Sequence, residues 1–190
     1  MLGPNKYLFK LSKPEHSTKI LKQVTWNVNG FLIILQQWHP KATLNELSLH
    51  SASFWIQVHS LPLINMTTKI AISIGKGLGN LIQVDDSNSD KKTFKSILRL
   101  LVEIEVSNPL KPGFSFQRDE GKPLWIFLKF ERLDIYCTSC GRIGQKLIHC
   151  LAPPEEKFSV RYSVSLQVNI FSNLHPSSPL AKMNHAISQS

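Results

Sequence analysis

Apolar and polar positions alternate most cleanly in three stretches of this chain. From Phe54 to His59, Phe54, Ile56 and Val58 fall on one side and Trp55, Gln57 and His59 on the other, the two-residue period of a half-buried strand. From Leu98 to Val106, Leu98, Leu100, Val102, Ile104 and Val106 share a face opposite Arg99, Glu103 and Glu105. From Val160 to Ile170, six apolar residues alternate with Arg161, Ser163, Ser165, Gln167 and Asn169. A strand of that regularity either docks on a sheet edge or stays an exposed segment prone to self-association. The helical period appears twice. Ile70, Ala71, Ile74 and Leu78 lie on one stripe of a helix predicted over Thr67–Leu78, with Gly79-Asn80 as its left-handed stop. A shorter helix begins at Pro14-Glu15 and runs to about Val24, with Ile20, Leu21 and Val24 aligned.

The intervening segments predict strands at Lys6–Leu11, Phe31–Gln36, Leu81–Val84, Phe114–Arg118 and Leu124–Phe130, with turns at Asn27–Gly30 and Asp119–Lys122 and a charged loop over 85–93. The order is a β-α-β piece followed by β-α-β-β-β-β. It implies an α+β fold with a mainly antiparallel sheet and one or two crossing helices. The β-α-β-β order from Phe54 also resembles an RNA-recognition module, though without that module's aromatic motif on the third strand. On the last hairpin, Trp125, Phe127 and Lys129 share the face opposite Leu124, Ile126, Leu128 and Phe130, and one of the two faces must be core. If the Trp125 face is open, it is an aromatic and basic stacking surface; the alternative is a sheet covered on both sides by the helix and the tail strand.

The composition suits a globular chain, with 42% hydrophobic and 18% charged residues among 190. No apolar run exceeds the five residues of Phe31–Leu35, far short of the ~18 that a membrane helix needs, and the first twenty residues hold no signal-peptide core. The chain is therefore expected inside the cell, in nucleus or cytoplasm. The formal charge is +9, and residues 91–150 carry 11 basic against 6 acidic side chains. A basic segment favours polyanions through counterion release. Three cysteines, too few for a disulfide framework and all within 137–150, form a metal site or are inert thiols.

Those cysteines stand at Cys137, Cys140 and Cys150, in the spacing C-x2-C-x4-Q-x4-C. Two cysteines two residues apart can turn both thiolates toward one ion, and Gly141 and Gly144 allow a tight loop around it. Gln145 supplies a neutral carboxamide where imidazole would serve a borderline-soft ion better, so the fourth ligand is missing or substituted. His149 is the candidate substitute, although it adjoins Cys150 and neighbours rarely aim both side chains at one centre.

The runs Phe54-Trp55-Ile56-Gln57-Val58-His59-Ser60-Leu61-Pro62-Leu63 and Ile74-Gly75-Lys76-Gly77-Leu78-Gly79-Asn80-Leu81-Ile82-Gln83-Val84-Asp85, followed by Leu100–Val106, Pro109–Phe114 and Lys129–Leu133, resemble a plant family of retrotransposon-derived, Gag-like proteins. That family joins a domain of unknown function to a zinc knuckle of the form C-x2-C-x4-H-x4-C. The resemblance covers about residues 6–150 and implies that Cys137, Cys140 and Cys150 are zinc ligands, with Gln145 at the histidine position. It also implies a longer N-terminal part before Lys6, so the chain is expected to be truncated or a gene fragment. The predicted organisation is a truncated half of the domain of unknown function over 1–50, a β-rich α+β region over 51–135, a degenerate zinc knuckle over 136–150, and a partly disordered tail over 151–190 with one strand at 160–170.

Knuckles are associated with single-stranded nucleic acid, because a metal-pinned loop can offer a basic rim and an apolar platform to unstacked bases. Arg132, Arg142 and Lys146 are the candidate rim. Tyr136 either stacks on a base or packs on the sheet, and Trp125 and Lys129 are further candidate contacts. Gly75-Lys76-Gly77-Leu78-Gly79 ends a helix, the reverse of a phosphate loop, and Cys140 with His149 or His59 lacks an orienting group, so the chain reads as non-catalytic, with no small-molecule substrate. The function expected is a non-catalytic protein that binds single-stranded RNA or DNA, with weakened zinc binding. The alternatives are an assembly module that self-associates and a decayed retroelement fragment.

Overall fold

A computed structural model describes residues 5–22, 25–47, 49–85, 97–153, 162 and 166–168. The fold is α+β. In chain order the regular elements are α1 (Pro14–Lys22), β1 (Trp26–Val28), β2 (Phe31–Ile33), β3 (Ser51–His59), α2 (Thr68–Leu78), β4 (Asn80–Val84), β5 (Leu98–Glu105), β6 (Gly113–Phe116) and β7 (Leu124–Phe130). The five-stranded sheet has the order β4-β5-β3-β7-β6, and every pairing in it is antiparallel. The β-α-β-β succession expected from Phe54 is present as β3-α2-β4-β5.

The period of β3 determines both faces of the sheet. Ala52, Phe54, Ile56 and Val58 are buried, opposite Ile104, Val102, Leu100 and Leu98 on β5. On the other flank Ile56 faces Phe130 and Val58 faces Leu128 of β7. Phe54 and Phe130 meet edge to face with centroids 6.1 Å apart. Helix α2 covers this side. Thr67 caps it by accepting a hydrogen bond from the Ile70 amide at 3.3 Å, and Ala71 is fully buried with Ile70, Ile74 and Leu78 against the core. Gly79 closes the helix, but its φ of 169° is extended rather than left-handed. Its lack of a side chain is needed for approach: a Cβ there would strike the Glu103 carbonyl oxygen of β5.

The opposite face carries a polar network. Arg99 on β5 makes a bidentate fork with Glu131, Nε to Oε1 at 2.7 Å and Nη2 to Oε2 at 2.8 Å, and its Nη1 reaches Asp85 Oδ2 at 3.0 Å. The guanidinium also lies 3.9 Å from the centroid of the Trp55 ring. Gln57 donates to Glu131 Oε1 at 2.8 Å, and His59 Nε2 lies 3.0 Å from Gln57 Oε1. Asp85 is thus held by an ion pair instead of resting in a solvated loop. Beyond the network this face is open, with Trp125 and Phe127 each 46% exposed. Of the two readings of this hairpin, the exposure of Trp125 and Phe127 favours the one in which their face is open.

Two sequence expectations change near the N-terminus. Lys6–Leu11 is not a strand: Tyr7, Leu8 and Phe9 are exposed, and no strand of the described structure pairs with them. The N-terminal unit is α-β-β, with β1 and β2 joined across the Asn29-Gly30 turn, and β2 ends at Ile33 because its partner begins at Trp26. The hairpin is fixed to the sheet by the Thr25 hydroxyl, which donates to Ser53 O at 2.8 Å, and by the Asn27 amide, which donates to Arg132 O. Of the strand expected over 160–170, only Tyr162 and residues 166–168 lie within the described residues. There Leu166 is buried at 2% exposure and Gln167 forms one parallel bridge to Phe130, on the flank that β6 leaves open.

Two outcomes test this architecture. Phe54→Ala should lower unfolding free energy by about 3–5 kcal/mol, whereas Trp125→Ala on the open face should stay within about 1 kcal/mol, both read by urea denaturation. At Glu131, burial opposes the carboxylate, but hydrogen bonds from Arg99 and Gln57 and the charges of Arg99 and Arg132 outweigh it and hold the pKa below its ordinary 4.5. A depressed folded pKa gives stability that is complete above the unfolded value and lost as pH falls through the folded one. The urea midpoint should therefore drop below about pH 4.5, and Glu131→Gln should be less stable than wild type at neutral pH with a flatter acid limb.

Candidate metal centre

Past β7 the chain folds back in a small loop. Tyr136 bridges Ile143, the Cys137 amide donates to Arg142 O at 2.9 Å, and the Gly141 amide donates to Cys137 O at 2.8 Å. Gly141, at φ 74°, occupies left-handed backbone, and a Cβ there would run into the Tyr162 ring from the tail. A 3₁₀ turn at Leu147–His149 then brings back Cys150. The loop is fastened to the sheet. The Leu110 amide donates to Gly141 O at 3.0 Å, and Arg142 Nε donates to Ser107 O at 2.9 Å.

The result is a cluster of sulfurs. The Sγ atoms of Cys137, Cys140 and Cys150 all lie within 4.8 Å of one another, the first two buried and the third partly so. Burial makes a thiolate at Cys140 costly, yet the Arg142 amide, with the thiols of Cys150 and Cys137, more than offsets this and brings its pKa below the ordinary value. At Cys150 the Ala152 amide favours the thiolate, but burial and the two neighbouring thiols prevail and the pKa is raised. Ser139 Oγ is buried inside the loop with no hydrogen-bond partner among the described residues.

The remaining candidates separate. Gln145 turns its amide nitrogen to Cys140 Sγ at 3.0 Å, so it serves as a donor to a sulfur and does not present its oxygen to the cluster. His149 sits in the exposed 3₁₀ turn and is not a member of the sulfur group. Arg132 and Lys146 are exposed, and Arg142 is half-buried. Tyr136 is 7% exposed and belongs to the core, with its phenol pKa raised by burial. It is therefore not available to stack on a base, a correction that follows from its bridge to Ile143. The face that carries Trp125 and Lys129 is open. Sequence reasoning missed Leu147, Ile148 and Leu151, which are 50%, 80% and 91% exposed beside Lys146. The signal was available: large apolar residues inside a loop whose buried positions are mostly cysteines.

Residues 104–152 match the zinc knuckle family. The match begins in β5 and takes in the β6–β7 hairpin, so the loop and the strands that carry it form one matching segment. An uncharacterized protein of Arabidopsis thaliana is 26% identical over 134 residues, covering 69% of this chain and 41% of that protein. The chain thus spans less than half the length of the curated relative it matches. No solved structure matches. The donor set fits a thiophilic ion at three positions, Cys137, Cys140 and Cys150, and does not supply the knuckle's imidazole at the fourth. Bound there, an ion would supply the charge that lets all three thiols ionise and so pin the loop.

Replacing Gln145 with histidine should restore that imidazole. Zinc affinity, read by competition with a chromophoric chelator on the full chain, should rise by more than the ~10–100-fold that outer-shell changes produce. His149→Ala should leave it unchanged. Equal affinities for wild type and Gln145→His would show that the histidine position does not matter here.

Proposed function

We propose that this chain is a non-catalytic protein of retrotransposon Gag-like origin that binds single-stranded nucleic acid, with zinc held weakly by Cys137, Cys140 and Cys150. The observation that carries the reading is the surface of the loop. Leu147, Ile148 and Leu151 stand in solvent next to Lys146, a combination of apolar platform and basic rim that suits unstacked bases and phosphates. The match of residues 104–152 to the zinc knuckle family and the formal charge of +9 support it. Arg132, Arg142 and Lys146 are assigned to phosphates.

A second reading, self-association, is favoured by one observation. Tyr7, Leu8, Phe9 and Phe31 are each more than half exposed, an apolar surface that a second copy could cover. Size-exclusion chromatography across a concentration series separates the two.

Binding to a labelled single strand should weaken with salt, the loop contributing roughly −2 to the log–log slope at ~0.7 per neutralised phosphate. Substituting Arg132, Arg142 and Lys146 together with alanine should remove that contribution. Anisotropy titrations at four salt concentrations read both, and a triple variant that binds like wild type would remove the loop from consideration.

A further inference from the structure

The open face of the sheet has two halves of opposite character. On the β5 side the guanidinium of Arg99 is neutralised by Asp85 and Glu131 and covered on one side by Trp55. Glu103, on the same face, is tied to Ser51 at 2.8 Å and Asn80 at 3.1 Å and stays a carboxylate, its pKa lowered by those two hydrogen bonds. Among the described residues this half sets Asp85, Glu103 and Glu131 against Arg99.

The β7 side differs. Trp125, Phe127 and Lys129 follow one another at every second residue, so their side chains leave the strand on one side at intervals of about 6.8 Å. Both rings are 46% exposed. The indole of Trp125 lies against Gly113 on the neighbouring edge strand: a Cβ at 113 would come within 2.8 Å of Trp125 Nε1 and 2.9 Å of Cε2. A glycine therefore leaves room for the indole to lie close against the edge strand. A ring held in that way does not have to be ordered when something stacks on it. Lys129 has no ion pair among the described residues. Across β3, His59 stands opposite Phe127 and Gln57 opposite Lys129. His59 is kept neutral by burial and by the Lys129 ammonium, which leaves that ammonium as the charge of this half.

We infer that the β7 half of the open face is a stacking platform for single-stranded nucleic acid, with Trp125 and Phe127 each taking one unpaired base and Lys129 a phosphate. Charge complementarity selects this occupant. A cation beside two flat, half-exposed rings, bordered by a neutralised and acidic half-face, suits a strand that presents alternating π-surfaces and negative charge. Strand β7 also runs straight into Arg132 and the sulfur loop, so the platform and the loop lie along one continuous path. The inference rests on the reading of the chain as a single-strand binder and extends it to a second surface.

The test uses the full chain and fluorescein-labelled 16-nucleotide poly-uridine and poly-thymidine, with a duplex of the same length as comparison. Trp125→Ala and Phe127→Ala should each weaken single-strand binding by roughly fivefold or more, from the stacking loss of ~1–3 kcal/mol per base, and leave duplex binding and the salt slope unchanged. Lys129→Ala should reduce the slope by ~0.7. Trp125→Phe should retain most of the affinity and abolish the nucleic-acid-induced quenching of tryptophan emission, a readout independent of any folding defect in the alanine variant. Loss of binding in the Arg132, Arg142 and Lys146 variant with no effect of the ring variants would overturn the platform and leave the loop. Loss in the ring variants alone would keep the platform and overturn the loop. An equal loss on duplex, unaltered quenching in Trp125→Phe, or no binding by wild type would also overturn the platform.

Discussion

The whole sheet depends on β3 having two antiparallel neighbours. Because β5 and β7 both pair with it, each of its nine residues is committed to one side, and the two-residue period becomes a boundary between solvent and core. A shift of one residue in either pairing would turn Phe54, Ile56 and Val58 outward and bury Gln57 and His59. The cost of that exchange, several large apolar side chains moved into water, holds the register far more firmly than any single hydrogen bond. From the same commitment follow the seat of α2 on one face and the Arg99 network on the other. The start of the sulfur loop follows as well, since Phe130, the last residue of β7, is locked opposite Ile56.

Elements whose own pattern carries the information were legible in the sequence. Strand β7 begins and ends where its alternation does, and β3, α2 and β5 differ from expectation by a few residues at their ends. Where partnership decides, the pattern misled. Lys6–Leu11 has the composition of a strand, but its residues from Tyr7 on pair with none of the described strands, and Phe31–Gln36 is cut short by a three-residue partner. The stop at Gly79 was placed correctly for the wrong reason, because approach of a carbonyl from β5 is invisible to local rules.

The candidate site shows the same division. Cysteine spacing left a metal site and inert thiols both open, and the fold brings the three sulfurs together. The role of Gln145 as an amide donor to Cys140 and the burial of Tyr136 depend on packing, and spacing cannot reveal them. The ion network escaped notice for a related reason. Asp85, Arg99 and Glu131 are separated by 14 and 32 positions, and only the sheet, which sets β4 beside β5 and both β5 and β7 beside β3, brings them together.

The fastening of the sulfur loop to the strands before it has a kinetic and entropic meaning. Leu110 and Arg142 bind the loop to the segment between β5 and β6, so it does not swing on a tether as a bead on a flexible chain would. Were the loop and the β7 face both to engage one ligand, they would meet it at an effective concentration set by their fixed separation, with no linker to freeze on engagement. The converse is a loss of tolerance. A ligand whose contact points match the fixed separation gains the full benefit of bivalency, and one with another spacing gains none, so rigidity here acts as a ruler.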